Sequence, residues 1–379
     1  MRTKLDIAFF GSSLVSAYWN GAATYYRGIV RALDARGHRV TFYEPDAFER
    51  QHHRDIEDPP WAKVVVYSAE SEDSVRAAVA SAARADLVIK ASGVGVHDEL
   101  LESLVLDLRD GGPRGRRMQV AFWDVDAPAT LDRVQSRRDD PLRALIPLYD
   151  YIFTYGGGEP VISAYEALSA RCCVPIYNGL DPETHFPAPP YAPFSVDLAF
   201  LGNRLPDREA RVEEFFLEAA RLLPDKSFLL AGSGWAGKPM PSNVEPLGHL
   251  PTADHNAFNC SPRAVLNVSR ESMARYGFSP ATRVFEAAGA GACVITDAWE
   301  GVECFLEPGR EILVAESGAD VAAHLRDLTL ERARDIGEAA RERMLAEHTY
   351  DRRVEEIERT LDASGPRRGR MASRERVAG

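Results

Sequence analysis

The sequence predicts an α/β protein made of two open parallel-sheet domains that face each other across a cleft, and three observations carry that prediction. First, its 379 residues amount to about 2.5 common domain lengths of roughly 150 residues. Second, apolar runs alternate with amphipathic stretches almost throughout, and strand, helix, strand in repetition means parallel pairing with right-handed crossovers. Third, GLDPETHFPAPPYAPF (179–194) interrupts the alternation. Pro182, Pro187, Pro189, Pro190 and Pro193 fall within it, and neither a helix nor a central strand tolerates that density.

Taken in order, LDIAFFG reads as a buried strand, the stretch through YYRGIVRALDARG as a helix stopped by Gly37, and HRVTFYE as a second strand. KVVVYSA, DLVIKAS, QVAFWDV, YIFTYG and CVPIYNG are further strands, separated by helical patterns such as SVRAAVASAARA and VISAYEALSAR. After the proline-rich segment a second series begins with VDLAFLG, a helix over DREARVEEFFLEAARLL, and SFLLAGSG. It continues through a short NVEPLGHL element, AVLNVS, the helix PATRVFEAAGAG, CVITD and EILVA. Helical stretches from ADVAAHLRDL to RERMLAEH and over TYDRRVEEIERTLD follow. SGPRRGRMASRERVAG, with five arginines against one glutamate and few apolar residues, predicts a disordered tail. The implied division is 1–182, a linker over 183–194, 195–346, a closing helix over 347–363, and a tail over 364–379. Ligands of open parallel sheets bind beyond the carboxyl ends of the strands, so the chemistry is expected in the loops that follow them.

Composition narrows the function. Apolar residues make up 45% and charged residues 27%, the profile of a folded chain with large cores. Acidic residues outnumber basic ones 57 to 45, for a net charge of −12. Such a field repels a polyphosphate backbone, which disfavours nucleic acid as a partner. Cys172, Cys173, Cys260, Cys293 and Cys304 form no CxxC pair, so neither a disulfide framework nor a zinc knuckle is expected, and a reducing cytoplasm is the simplest setting. No apolar run approaches membrane-spanning length, and MRTKLDIAFFGSS leads straight into a strand, so neither a span nor a signal peptide is expected.

The strongest local signal is GFSPATRVFEAAGAGACVITD (277–297). Ser279 suits an N-cap, Pro280 suits a first helical turn, and GAG ends the helix ahead of a buried strand. The amides of Gly277, Phe278, Ser279 and Ala281 would then form a positive helix terminus fit for a diphosphate. Arg283 and Glu286, three residues apart, share neighbouring parts of one face. A cation beside phosphates and a carboxylate able to take two sugar hydroxyls would together hold a nucleoside diphosphate. The alternative is an ordinary surface ion pair.

This stretch resembles the donor-binding region of GT-B glycosyltransferases, in particular the CgeB-like, glycosyltransferase family 1-like group, with an arginine two residues ahead of Phe-Glu-Ala and a glycine before an apolar strand. IYNGLDPETHFP (176–187) resembles the interdomain segment, LAFLGNRLPDRE the first strand and loop of the donor domain, and LGHLP the loop near the base. EHTYDRRVEEIERTL resembles the closing helix that crosses back to the first domain, and the resemblance spans roughly residues 5 to 362. It implies the GT-B fold: an N-terminal Rossmann-like acceptor domain, and a C-terminal donor domain for a UDP-, GDP- or TDP-sugar used as co-substrate without a bound metal. One departure matters. Retaining members of related families carry two glutamates eight positions apart, and eight positions before Glu286 stands Phe278. Glu286 carries over as the ribose ligand, whereas the glutamate for the donor sugar has no counterpart.

The same resemblance places Asn203 and Arg204 beside the diphosphate, where an arginine stabilises the leaving group; a solvated loop arginine is the alternative. Gly232 and Gly234, and His249 with Leu250 in the GHL turn, allow close approach to a base, although turn glycines explain them as well. In the first domain Gly11, Ser12 and Ser13 follow strand one without matching GxGxxG, and the serine loop is expected near the transferred sugar. Glu44 falls near where a ribose-binding acid would stand in a dinucleotide site. Asp124 and Asp126 end a strand and His97 lies in a loop, and one of them is expected to take the acceptor hydroxyl proton, Asp124 first. The alternatives are an N-cap for Asp126 and a structural loop histidine for His97. The GGGEP loop (156–160) either contacts substrate or turns into a helix. No cluster of His, Asp or Glu has the spacing of a metal centre, although the D-V-D of WDVD (123–126) keeps a DxD metal-diphosphate motif open by pattern. The expected function is sugar transfer from a nucleotide-sugar to an acceptor, in the manner of hexosyltransferases. The competitors are a non-catalytic GT-B-like interaction protein of spore or envelope, an NAD-dependent oxidoreductase and a sugar-nucleotide epimerase. A second copy of the chain, as a homodimer, is among the partners the sequence allows.

Overall fold

The computed structural model describes residues 4–18, 20–111 and 117–364. The expected tail, beyond Ser364, lies outside the described residues. The first sheet contains β1 (Asp6–Phe10), β2 (Arg39–Asp46), β3 (Lys63–Ser68), β4 (Leu87–Ala91), β5 (Gln119–Asp124), β6 (Tyr151–Thr154) and β7 (Cys173–Pro175). Its order is β3-β2-β1-β4-β5-β6-β7 and every pairing is parallel. The second contains β8 (Leu198–Leu201), β9 (Phe228–Ala231), β10 (Val244–Gly248), β11 (Ala264–Asn267), β12 (Val294–Asp297) and β13 (Leu313–Ala315), in the order β10-β9-β8-β11-β12-β13, again all parallel.

The continuous apolar runs read as strands because helices cover both faces of each sheet. Side chains alternate across a strand. Phe10, Val88, Phe122 and Ile152 therefore pack on one face of the first sheet, and Phe9, Ile89, Trp123 and Phe153 on the other. The second sheet divides likewise, with Phe200, Leu230, Leu266 and Ile295 on one side and Ala199, Leu229, Val265 and Val294 on the other.

Three details depart from the sequence reading. The helix expected over 280–291 runs from Thr282 to Gly289, with Ala281 and not Ser279 at the N-cap position. Helices Asp98–Asp107 and Glu271–Tyr276 were not anticipated; both are short or flanked by glycine, so their periodicity is weak. The closing helix, Tyr350–Ser364, packs on Ala23–Ala35 of the first domain. Arg36 binds Asp351 at 2.9 Å and Glu358 at 2.8 Å, and a β-carbon on Gly28 would strike the Tyr350 ring at 2.2 Å. All five cysteines are free, and among the described residues no helix is long and apolar enough to cross a membrane.

Candidate active site

A cavity of about 850 Å3 opens between the two sheets, lined by residues that follow β1, β4 and β5 on one side and β8 and β11 on the other. Several contacts cross between the domains beside it, among them a hydrogen bond from the Tyr276 hydroxyl to Asp132. The Gly157 amide donates to the Phe278 carbonyl at 2.8 Å, and the Tyr155 hydroxyl meets Thr282 Oγ1 at 3.0 Å. Arg275 pairs with Asp132 at 2.9 Å, and Arg270 approaches Asp126 at 3.9 Å. The GGGEP loop thus turns into the helix Gly158–Ala167 and also docks on the second domain.

The helix terminus differs from its expected form. The amides of Gly277 and Phe278 are already satisfied, by Met273 O at 3.1 Å and Glu300 O at 2.6 Å. Phe278 takes φ 43°, and its ring fills the space beside Gly158 and Gly301, where β-carbons would strike it at 2.6 and 2.2 Å. Hydrogen bonding along the helix begins with Val284 N to Ala281 O. The amides of the first turn, at Thr282 and Arg283, consequently lack intrahelical partners. Ser279, Ala281 and Thr282 line the cavity, and the Ser279 hydroxyl is buried with no partner.

One turn further on, Glu286 lies 3.3 Å from Arg283 through Oε2 and 3.7 Å from His185 Nε2 through Oε1. Burial alone would raise its pKa, but Arg283, His185 and His255 together hold it below the usual glutamate value. Arg283 Nε and Nη1 are buried without hydrogen-bond partners.

The second arginine of this wall is Arg208, not Arg204. Arg204 is exposed and forms two bonds to Glu209, at 2.8 and 2.7 Å, away from the cavity. Arg208 lines the cavity, its Nε is buried with no partner, and burial with Arg270 and Arg283 nearby pushes its pKa down. Asn203 accepts from the Ser233 amide at 2.9 Å, bracing the neighbouring loop. Gly232 and Gly234 have φ of 126° and 90°, and a β-carbon on Gly232 would lie 2.2 Å from Gly202 O, so close packing of two loops requires glycine there. Leu250 is buried in the core and His249 is exposed, and neither lines the cavity.

On the opposite wall the sequence reading needs two corrections. Asp124 is fully buried and accepts from Ser92 Oγ at 2.8 Å, Thr130 Oγ1 at 2.9 Å, Tyr165 OH at 2.5 Å and the Asp126 amide at 3.1 Å. These four bonds and its full burial commit Asp124 to holding the β5 loop. His97 turns its ring to the Ala69 carbonyl at 2.9 Å and does not line the cavity. Asp126 does line it. It stands at the N-cap position of the helix Ala127–Ser136 without a capping side-chain hydrogen bond, and burial raises its pKa against the pull of Arg270.

Ser12 also lines the cavity, its hydroxyl donating to Asn20 Oδ1 at 2.8 Å. Gly11 is packed against the Phe42 ring, and Ser13 donates to Glu44 at 3.0 Å. Glu44 is buried and further engaged by the Leu14 amide and Gln51, both at 2.6 Å, so it has no place in a dinucleotide site.

Sequence reasoning missed Arg208, although it lies four positions past Arg204 in the same quoted segment; only the direction of the loop distinguishes them. It also missed His185 and His255. With Glu286 they form the one group among the described residues that could hold a metal ion. Their separations of 70 and 31 positions give no local pattern to find. Burial pushes the His255 imidazole down to about 4.

Residues 208–359 match a family described as glycosyl transferase-like. Comparison with curated proteins gives no match. Among solved structures, the sucrose-phosphate synthase of Thermosynechococcus elongatus superposes with a TM-score of 0.66 at 16% identity, covering 95% of this chain and 100% of that one. HepE of Anabaena, solved with UDP-glucose, gives 0.65 at 14% identity with the same coverage. An α-glucosyltransferase solved with UDP and a 13-mer DNA containing an HMU base gives 0.68 at 13% identity, again covering 95% and 100%. With two facing parallel sheets and a last helix that returns to the first domain, the chain has the GT-B glycosyltransferase fold, and its C-terminal portion matches the glycosyl transferase-like family.

Proposed function

We propose that the chain transfers a sugar from a nucleotide-sugar to an acceptor bound against the N-terminal domain. The observation that carries this reading is the cavity itself. One wall presents Arg208, Arg283 and an open helix terminus around Glu286, and the facing wall presents Asp126. In this assignment Glu286, kept ionised by Arg283, accepts the two ribose hydroxyls. The first-turn amides and the two arginines take the diphosphate. As the bond between the sugar carbon and the phosphate oxygen breaks, negative charge grows on the leaving oxygen, and preorganised cationic donors there lower the barrier. Asp126 takes the proton of the attacking acceptor hydroxyl. Three cavity arginines, Arg208, Arg270 and Arg283, supply positive charge of the kind that neutralises a diphosphate without a metal.

UDP is the first donor nucleotide to try, because HepE and the α-glucosyltransferase were solved with UDP compounds. Calorimetry of the chelator-treated chain with UDP, GDP and TDP, each free and as a sugar conjugate, tests the reading: one of the three binds, and silence across the whole panel overturns it. EDTA is expected to leave turnover intact, and lost turnover would overturn the metal-free mechanism.

A further inference from the structure

His185, His255 and Glu286 come from three separate segments: the interdomain stretch, the first residue of the helix His255–Cys260, and the middle of the helix Thr282–Gly289. One ligand atom from each lies within 4.8 Å of the other two. Two ligands on a tetrahedral zinc, each about 2.1 Å from it, stand about 3.4 Å apart. The 3.7 Å between His185 Nε2 and Glu286 Oε1 is already close to that spacing. Small side-chain rotations would bring in His255. The surroundings are also set for it. Thr184 Oγ1 meets His185 Nδ1 at 3.0 Å. An outer hydrogen bond of this kind fixes the orientation of a metal-binding imidazole. His255 Nδ1 is buried and has no hydrogen-bond partner. Arg283 is nearest Oε2 of Glu286, which leaves Oε1 facing the His185 imidazole.

We propose that His185, His255 and Glu286 bind a zinc-class divalent ion, and that the bound ion takes Glu286 away from the nucleotide and switches donor binding off. Two imidazoles and one carboxylate select zinc, cobalt or nickel over magnesium and calcium, which prefer all-oxygen sets. Three protein ligands leave a fourth position for water on the cavity side. The metal site stands on these contacts alone, whereas the switch rests on the donor reading of the cavity.

The test is titration of the full, chelator-treated chain with Co2+ and Zn2+ in the absence of nucleotide, followed by the visible absorption of tetrahedral cobalt. One equivalent is expected, with affinity lowered about tenfold or more in H185Q and in H255Q. Wild-type affinity in both folded variants overturns the site. Zinc-edge X-ray absorption on the unmodified chain decides the same point without a variant: two imidazole neighbours support the site, and a purely oxygen shell overturns it. UDP calorimetry then reads the switch. Saturating zinc is expected to weaken UDP binding about tenfold or more, and the effect should vanish in H185Q, which separates it from zinc chelated by the diphosphate. Unchanged UDP affinity overturns the switch and leaves the metal site standing. UDP that binds neither the zinc-loaded nor the zinc-free chain overturns the donor reading and the switch together, while the zinc stoichiometry is judged on its own variants.

Discussion

The two walls of the cavity treat their charged groups in opposite ways. On the C-terminal wall, Nε of Arg208, Nε of Arg283, the Ser279 hydroxyl and Nδ1 of His255 are buried with no hydrogen-bond partner, although Arg283 also pairs with Glu286 through Nη1. Behind the N-terminal wall the buried acids are saturated: Asp124 accepts four hydrogen bonds, and Glu44 is held by Ser13, Leu14 and Gln51. Leaving buried donors unsatisfied costs roughly 1–3 kcal/mol each. Beside a cavity, an open group of this kind is one that a ligand can complete, whereas the saturated acids hold a loop in shape. The comparison separates residues that await a partner from residues that already have one, which residue type and spacing alone do not do.

Five substitutions sharpen or break this contrast. Asp126→Asn should have the largest effect, lowering kcat about 10²- to 10⁴-fold with little change in KM, as expected for loss of a general base. Its acid limb gives a second check. Burial raises the Asp126 pKa above the ordinary aspartate value, so the active carboxylate is lost as pH falls through that raised value. The pH–rate profile should therefore show an acid limb that sits above pH 3.8 and disappears in Asp126→Asn. Next, Arg208→Ala should lower kcat/KM roughly 10²- to 10³-fold, the usual cost of removing one charge-stabilising donor. Glu286→Ala should weaken nucleotide binding by about 1–3 kcal/mol in calorimetry, the cost of stranding hydrogen-bonding groups.

Asp124→Asn should act on stability. Its four hydrogen-bond donors would be left imperfectly matched, at a cost of about 1–3 kcal/mol seen as a lower midpoint of urea unfolding. Turnover per folded molecule should stay within a few fold of wild type. The smallest effect is expected for Arg204→Ala. Its exposed pair with Glu209 is screened by solvent and contributes little, and kcat/KM should be near wild type. A deep loss of turnover in Arg204→Ala beside a mild one in Arg208→Ala would invert the comparison.

The fold was legible because it is written in local periodicity. Phe9 and Phe10, or Leu229 and Leu230, face opposite sides of their sheets, and short apolar runs of this kind, bounded by turn residues and alternating with helical patterns, read as strands covered on both faces. The proline cluster, which lies between the end of β7 at Pro175 and the start of β8 at Leu198, marks an interruption for an equally local reason. The candidate site was legible only where one short segment carries it, as with Ser279, Arg283 and Glu286. Which of Arg204 and Arg208 faces the cavity depends on a loop held by Asn203, Ser233 and Gly234. Whether Asp124 or Asp126 is free depends on Ser92, Thr130 and Tyr165, all distant from the WDVD motif except Thr130. The His185–His255–Glu286 group exists only after the linker folds back on the second domain. Such facts belong to tertiary contacts and leave no periodic mark.

The closing helix returns through a crossing that lies beside the linker's own. Leu180 N donates to His348 O at 2.7 Å and Tyr350 N to Leu180 O at 3.1 Å, so the two passages of the chain are bonded side by side as a short parallel bridge. A molecule joined by one strap can swivel freely, but two straps fastened together act like the pin of a door. Separation of the halves is thereby confined to a swing about residues 179–180 and 348–350. Contacts that such a swing would have to break lie beside the cavity, at Gly157 with Phe278 and at Asp132 with Arg275.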